Sequence, residues 1–272
     1  MNDSQATELN EKTIAEALTT VWLGHAVHYF DELDSTNDTL AELAQAGAPH
    51  GTLVITDYQR QGKGRQQRRW EAPAGSSLLL SLLFRPNWPV EQANWLVMIG
   101  GLAALRTIEL TTALAAGLKW PNDVMVRTGE GWRKAGGLLL ETSLSDAGVE
   151  QAILGIGLNV NIPAADLPAA DTPATSLLAA SGHSVPRLPL LVRLLQTLES
   201  LYEAAAEGHS PERLWTERLL TLGQQVTVSD GEHTVSGLAT GTDNWGRLLV
   251  RDDAGRTYTF AAGDVTLRKK RR

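Results

Sequence analysis

The side chains best suited to chemistry are Arg60, Lys63, Arg65, Arg68 and Arg69. They are five cations within Asp57-Tyr58-Gln59-Arg60-Gln61-Gly62-Lys63-Gly64-Arg65-Gln66-Gln67-Arg68-Arg69-Trp70. Such residues cannot form a core. Gly62 and Gly64 let the backbone approach a ligand closely, and clustered Arg and Lys suit a small anion, most naturally a phosphate compound. The other reading is a solvated basic loop. Two familiar phosphate loops are excluded. A P-loop needs Ser or Thr after Gly-Lys, but Gly62-Lys63 is followed by Gly64 and position 57 is Asp; a dinucleotide fingerprint needs a third glycine where Gln67 stands.

Three further groups stand out. Asp34-Ser35-Thr36-Asn37-Asp38 offers more N-cap side chains than one helix requires, which means either redundant capping or a polar ligand at a helix N-terminus. In Leu118-Lys119-Trp120-Pro121-Asn122-Asp123-Val124, an apolar strand is broken or bulged, because proline removes a ladder donor and Asn-Asp favours turns. Lys119 and Asp123 beside that break are candidates for function. Gly136 and Gly137, after Lys134, and Gly155 and Gly157, before Asn159 and Asn161, pack nothing within strands; they leave room for a flat ligand or form bulges. The six histidines share no motif spacing, and no His-Asp pair or nucleophilic serine emerges.

Periodicity supplies the elements that position these groups. Runs at 52–55 and 77–84 read as strands flanking the basic loop, the second continuous enough to be central and covered on both faces. Helices are expected over 10–23 with Asn10 as N-cap, from about residue 38 to Gly47, and over 91–114, 175–180, 188–206 and 211–220. Gly100-Gly101 inside the long helix points to close packing there. Strands are expected over 26–33, 134–142 and 151–160. From Gly223 the pattern changes to short alternating strands at 225–228, 233–240, 247–251 and 257–260, the mark of a small antiparallel barrel.

At 272 residues the chain holds one large domain, or one large and one small. The net charge of -7 argues against a general nucleic-acid binder, and zero cysteines exclude disulfides and thiolate sites. No apolar run of about 18 residues and no basic-then-apolar N-terminus is apparent, so a cytoplasmic protein away from membranes is expected.

Taken in order, Ser35-Thr36-Asn37, Gly62-Lys63-Gly64-Arg65, Lys119-Trp120-Pro121-Asn122-Asp123, and Lys134-Ala135-Gly136-Gly137 with Gly155-Ile156-Gly157-Leu158-Asn159-Val160-Asn161 resemble the bacterial biotin protein ligases. The resemblance covers about residues 26–267. It implies an α+β fold: a class II synthetase-like mixed β-sheet with flanking helices, plus a small C-terminal SH3-like β-barrel. The implied division is a helical extension at 1–25, a catalytic biotin- and ATP-binding domain at 26–221, the barrel at 222–268 and a basic tail at 269–272. It implies a ligase that forms biotinyl-5'-AMP from biotin and ATP, then passes biotin to a lysine of a biotin carboxyl carrier domain of acetyl-CoA carboxylase or a related carboxylase. By position, Ser35, Thr36, Asn37 and Gln59 would hold the ring end of biotin, with backbone around Lys63, Gly64 and Gly136. Arg65 and Lys134 would bracket the carboxylate and α-phosphate. Arg68, Trp70, Lys119, Asn159 and Asn161 would complete the nucleotide site, with Mg²⁺ carried mainly by ATP and no protein metal site.

Departures matter too. The family loop reads Gly-Arg-Gly-Arg-x-Gly-Arg; Lys63 here keeps a charge but loses a planar fork, and Gln67 makes the loop less permissive. The family also has a DNA-binding repressor form. With one helix in that place, the expectation is the enzyme without repressor activity or a DNA partner, as monomer or homodimer.

The chemistry fits the residue types. A carboxylate attacking an α-phosphate is already ionised, with a pKa near ~4, so catalysis rests on fixed cations and alignment. The acceptor amine, with a pKa of about 10.4, must lose a proton, and Asp123 is the acid expected to receive or orient it. The rivals are a lipoate or octanoate transferase, which would need a longer apolar tunnel, a nucleic-acid module and an idle biotin-binding protein.

Overall fold

The computed structural model describes residues 9–146, 148–168, 172–231 and 233–267. Asn10 caps α1 (Glu11–Ala17) by accepting the Thr13 N–H. The helix expected over 10–23 stops at Ala17, where Leu18 turns to an extended backbone conformation; beyond it the buried Glu199 carboxylate accepts the N–H groups of Val21, Trp22 and Leu23. β1 (Val27–Leu33) runs through α2 (Thr36–Gln45) to a parallel β2 (Leu53–Gln59). β3 (Ser77–Phe84) is buried at every residue, as its unbroken apolar sequence predicts.

After α3 (Trp95–Thr112) come β4 (Ala116–Lys119), β5 (Asp123–Thr128), β6 (Gly131–Ser145) and β7 (Gly148–Asn159). They complete a seven-stranded sheet of order β1-β2-β3-β7-β6-β5-β4, antiparallel except for β1 and β2. The break at Pro121-Asn122 is a hairpin turn between β4 and β5, with Lys119 opposite Asp123 and a register shift following at Val124/Met125. α4 (Leu177–Ser181), α5 (Arg187–Ala206) and α6 (Glu212–Thr216) follow; α6 is shorter than the helix expected over 211–220.

Alternate residues of the strands face two cores. Val54, Leu83 and Ile153 lie under Leu40 and Ala44 of α2, while Leu53, Leu82 and Leu154 belong to the larger core that includes α3 and α5. Helix α3 is long and apolar enough to cross a membrane by length and composition, a run that sequence reading passed over. Yet it is a core helix, with 72% of its apolar window buried inside the protein. A Cβ at Gly100 would stand 2.5 Å from Leu138 Cδ2, so glycine is what lets α3 lie this close to the sheet.

The C-terminal segment forms β8 (Gln225–Ser229), β9 (Thr234–Thr242), β10 (Leu248–Arg251), β11 (Thr257–Phe260) and β12 (Asp264–Leu267), an antiparallel sheet of order β11-β10-β9-β8-β12. The last strand escaped the sequence reading. Trp120 Nε1 donates to Gly246 O at 2.9 Å, Asn94 Nδ2 to Trp245 O at 2.9 Å, and Trp95 stacks on Trp245. These contacts fix the small sheet against the large one and bring the start of β12 to the site. The basic tail at 269–272 lies outside the described residues.

Candidate active site

A cavity of about 770 Å³ opens where the N-terminus of α2, the basic loop, the β4–β5 turn, β6, β7 and the start of β12 converge. Its two ends differ in chemistry.

At one end the α2 N-terminus supplies hydroxyls and amides. Ser35 occupies the N-cap position, makes no capping bond and lines the cavity. The Thr36 N–H and hydroxyl both donate to Gln59 Oε1, at 2.8 and 3.1 Å. Ser81 Oγ, on β3, lies 2.7 Å from Thr36 Oγ1 and 2.6 Å from Asn37 Oδ1, and Asn37 Nδ2 donates to Glu141 Oε2 at 2.7 Å. Gly155 leaves the space for this, since a Cβ there would stand 2.4 Å from Asn37 Oδ1. Buried polar groups that satisfy one another in this way hold a single arrangement.

The other end gathers cations. Arg65 Nη1 donates to Asn122 Oδ1 at 3.3 Å and reaches Gly263 O at 3.5 Å. Lys134 Nζ pairs with Asp123 Oδ1 at 2.6 Å and lies over the Trp70 ring, 5.7 Å from its centroid. Lys119 Nζ donates to Thr172 Oγ1 at 3.0 Å, and Arg68 pairs with Asp264 of β12. Burial pushes the Arg65 and Lys119 pKa values down, and for Lys119 the neighbouring Lys134 adds to the fall while Asp123 opposes it. Two buried polar atoms here have no partner in the protein, Asn159 Oδ1 and Trp70 Nε1. An unmade buried hydrogen bond costs roughly 1–3 kcal/mol, so this wall is shaped for something that supplies the missing donor and acceptor.

The basic loop bridges the two ends. Gly64 N–H donates to Arg68 O and Trp70 N–H to Gly62 O, closing a turn around a short 3₁₀ segment, Arg65–Gln67. Within it Gln66 and Gln67 hold left-handed φ values of 54° and 60°, so Gln67 takes a conformation that glycine would take without strain. Lys63 turns toward α2, pairing with Asp38 and lying 3.7 Å from Glu141. The bond with Asp38 raises its pKa against the opposing effect of burial.

Two sequence models match, the Biotin/lipoate A/B protein ligase family over residues 29–159 and the Biotin protein ligase C terminal domain over 221–268. The biotin--[acetyl-CoA-carboxylase] ligase of Mycobacterium tuberculosis is 33% identical over 267 residues, which is 94% of this chain and 95% of that protein. This chain belongs to the biotin protein ligase family. It is a ligase enzyme. The bifunctional ligase/repressor BirA of Bacillus spizizenii is 32% identical over 263 residues, 96% of this chain and 79% of that one. The Aquifex aeolicus biotin protein ligase, solved with biotin and ATP, superposes with a TM-score of 0.73 at 28% identity, covering 90% of this chain and 99% of its own. The mixed sheet with flanking helices and the separate antiparallel C-terminal sheet are the biotin protein ligase fold expected from the sequence.

Most residues singled out for a ligase site meet in the one cavity: Ser35, Thr36, Asn37 and Gln59 at its polar end, Lys63, Gly64, Arg65, Arg68 and Trp70 on its loop, and Lys119, Asp123, Lys134 and Asn159 opposite. Two do not. Gly136 is absent from the lining, and the adjacent Gly137 lines the cavity instead. Asn161, just past β7, is turned away: its Nδ2 donates to Val185 O and its Oδ1 accepts the Val185 N–H, both at 2.9 Å. Part of the space over the strand glycines is taken by the protein's own side chains, Asn37 at Gly155 and Trp70 at Gly157. The Trp70 indole lies on Gly157, where a Cβ would stand 2.6 Å from its Cε2. Sequence reasoning missed Gly263, Asp264, Thr172 and Glu141. Only the alternating Asp264-Val265-Thr266-Leu267 offered a local signal for β12.

Proposed function

We propose that this ligase activates biotin with ATP to biotinyl-5'-AMP and transfers the biotinyl group to a lysine of a carboxylase's biotin carboxyl carrier domain. The observation that carries this is the pairing, within one cavity, of a hydroxyl and amide cluster with a set of partly buried cations. The first suits a ureido ring, with its adjacent donors and acceptor; the second suits a carboxylate meeting a phosphate. The solved relative from Aquifex aeolicus holds biotin and ATP, which supports both substrates. We assign residues 26–221 to catalysis and 222–268 to a barrel domain that completes the site through Asp264.

Thr36, Asn37 and Gln59 hold the ring, so the acyl chain runs toward Arg65 and Lys134. Those cations neutralise the carboxylate and the α-phosphate, whose mutual repulsion is the main barrier to attack in line. The carboxylate oxygen forms a bond to the α-phosphorus as the bond to pyrophosphate breaks. Lys119, Arg68, Trp70 and Asn159 serve the nucleotide, with Asn159 Oδ1 free to accept a donor from it. Mg²⁺ enters with ATP, as part of that substrate. In transfer, Asp123 receives or orients the acceptor ammonium, the amine attacks the acyl carbon, and AMP leaves. Residues 60–70 close over the adenylate and exclude water.

We place the reaction in the cytoplasm and assign this chain no repressor activity. The family also includes lipoate ligases; the polar cluster favours biotin over a plain acyl chain. The deciding test is ATP–pyrophosphate exchange with biotin, lipoate or neither. Exchange that requires biotin supports the reading, exchange with lipoate alone replaces it, and exchange with neither overturns it.

A further inference from the structure

Asn37 is 3% exposed, and its amide could sit either way round. Ser81 does not decide the orientation, because a hydroxyl can donate to an amide oxygen or accept from an amide nitrogen. Glu141 does, since a carboxylate accepts only: the amide that faces it must present Nδ2, found 2.7 Å from Oε2. A flipped amide would set Oδ1 against a negative charge. Glu141 itself is absent from the cavity lining and 43% exposed along its side chain, so it acts only through its neighbours. Its other oxygen lies 3.7 Å from Lys63 Nζ, and Lys63 also pairs with Asp38 in the first turn of α2. One carboxylate on β6 thus touches both the helix that bears the polar cluster and the loop that bears Arg65.

We propose that Glu141 is a positioning residue for substrate specificity: by fixing the Asn37 amide, it sets which donor and acceptor the polar end presents to the substrate ring. This rests on the biotin reading above. The charged groups paired around this contact are Asp38 on α2, Lys63 on the loop and Glu141 on β6. Because Lys63 balances two acids, removing Glu141 leaves Lys63 its Asp38 partner and leaves the Asn37 amide free to turn.

The test uses the full chain and steady-state pyrophosphate exchange, varying biotin and ATP separately. Glu141→Ala raises the KM for biotin about tenfold while the KM for ATP and kcat stay within about twofold. Glu141→Gln recovers most of the loss, to within about threefold of wild type, since its amide oxygen can accept from Asn37 Nδ2, while the residual loss reflects its amide nitrogen, which lets a fraction of the Asn37 amide turn over. A thermal midpoint for Glu141→Gln close to wild type shows that the comparison is made on folded protein. An unchanged KM for biotin in Glu141→Ala, equal losses for biotin and ATP, or failure of Glu141→Gln to restore would each overturn the proposal. If the wild type itself shows no biotin-dependent exchange, it is the biotin reading that fails.

Discussion

The two ends of the cavity are built on opposite principles. At the α2 end Thr36, Asn37, Gln59 and Ser81 form one closed network: Thr36 with Gln59, Ser81 with Thr36 and Asn37, Asn37 with Glu141. Nothing there is charged inside the network except Glu141, which keeps access to solvent and has Lys63 beside it. At the β4–β5 end, Arg65, Lys119 and Lys134 share a partly buried space, with burial pushing Arg65 and Lys119 toward losing charge. That region holds two unpartnered polar atoms, and its acids are fewer than its cations. The first end is satisfied as it stands and selects by shape and hydrogen bonding. The second is held under repulsion that an anionic ligand relieves, and such preorganised charge acts most strongly where phosphate and carboxylate must meet.

Substitutions can break this contrast. The largest effect is expected for Lys134→Ala, which removes a cation from the reacting centre and leaves Asp123 unpaired. Exchange should fall about 10²–10³-fold, as when one stabilising donor is lost, with protein still folded by circular dichroism. For Asp123→Asn, transfer to a carrier domain should fall about 10-fold to 100-fold further than exchange, as expected for loss of a proton acceptor; equal losses would remove Asp123 from that role. Thr36→Val, at the satisfied end, should raise the KM for biotin about tenfold with little change in kcat, because it strips a donor from Gln59 in ground and transition states alike.

Smaller effects sharpen the same contrast. Lys119→Met should raise the melting midpoint by about 2–4 °C for each kcal/mol of relieved charge burial, while weakening catalysis. The sign follows from Lys119 having a folded-state pKa below the usual 10.5 of lysine. At neutral pH the folded protein carries the full cost of the buried cation. As pH climbs through the folded pKa toward 10.5, the folded state loses the proton first and the cost is relieved, so the gain from Lys119→Met should shrink in alkali. The smallest effect belongs to Gln67→Gly, which relieves a left-handed φ of 60° but loosens the unfolded chain; a net gain of about 0.5–1 kcal/mol is expected in a denaturant titration.

The same contrast governs what the sequence disclosed. The satisfied end is local: Ser35, Thr36 and Asn37 are consecutive, and an excess of capping side chains at a helix start is visible in a linear text. The buried β3 and the alternating barrel strands were likewise visible from period and turn residues. The cationic end is assembled from distant segments, so Lys119, Lys134 and Arg65 were legible only as isolated cations joined by resemblance. The role of Asp264 could not be read, because nothing near residue 264 says that its strand closes on a loop 196 positions away. Glu141 was hidden for a related reason, since an exposed acid within a strand looks like any solvated one. Asn161 misled because it repeats Asn159 two residues on, yet the strand ends between them and the chain turns toward Val185.

The most direct test of the two-ended account separates binding from chemistry in one variant, Lys119→Ala. Calorimetry would measure biotin binding without ATP, and pyrophosphate exchange would measure activation in the same preparation. The account predicts biotin affinity within about threefold of wild type and exchange reduced about 100-fold, because the polar end is intact and one of the fixed cations is gone. Loss of biotin binding in parallel with exchange, or exchange at the wild-type rate, would contradict it.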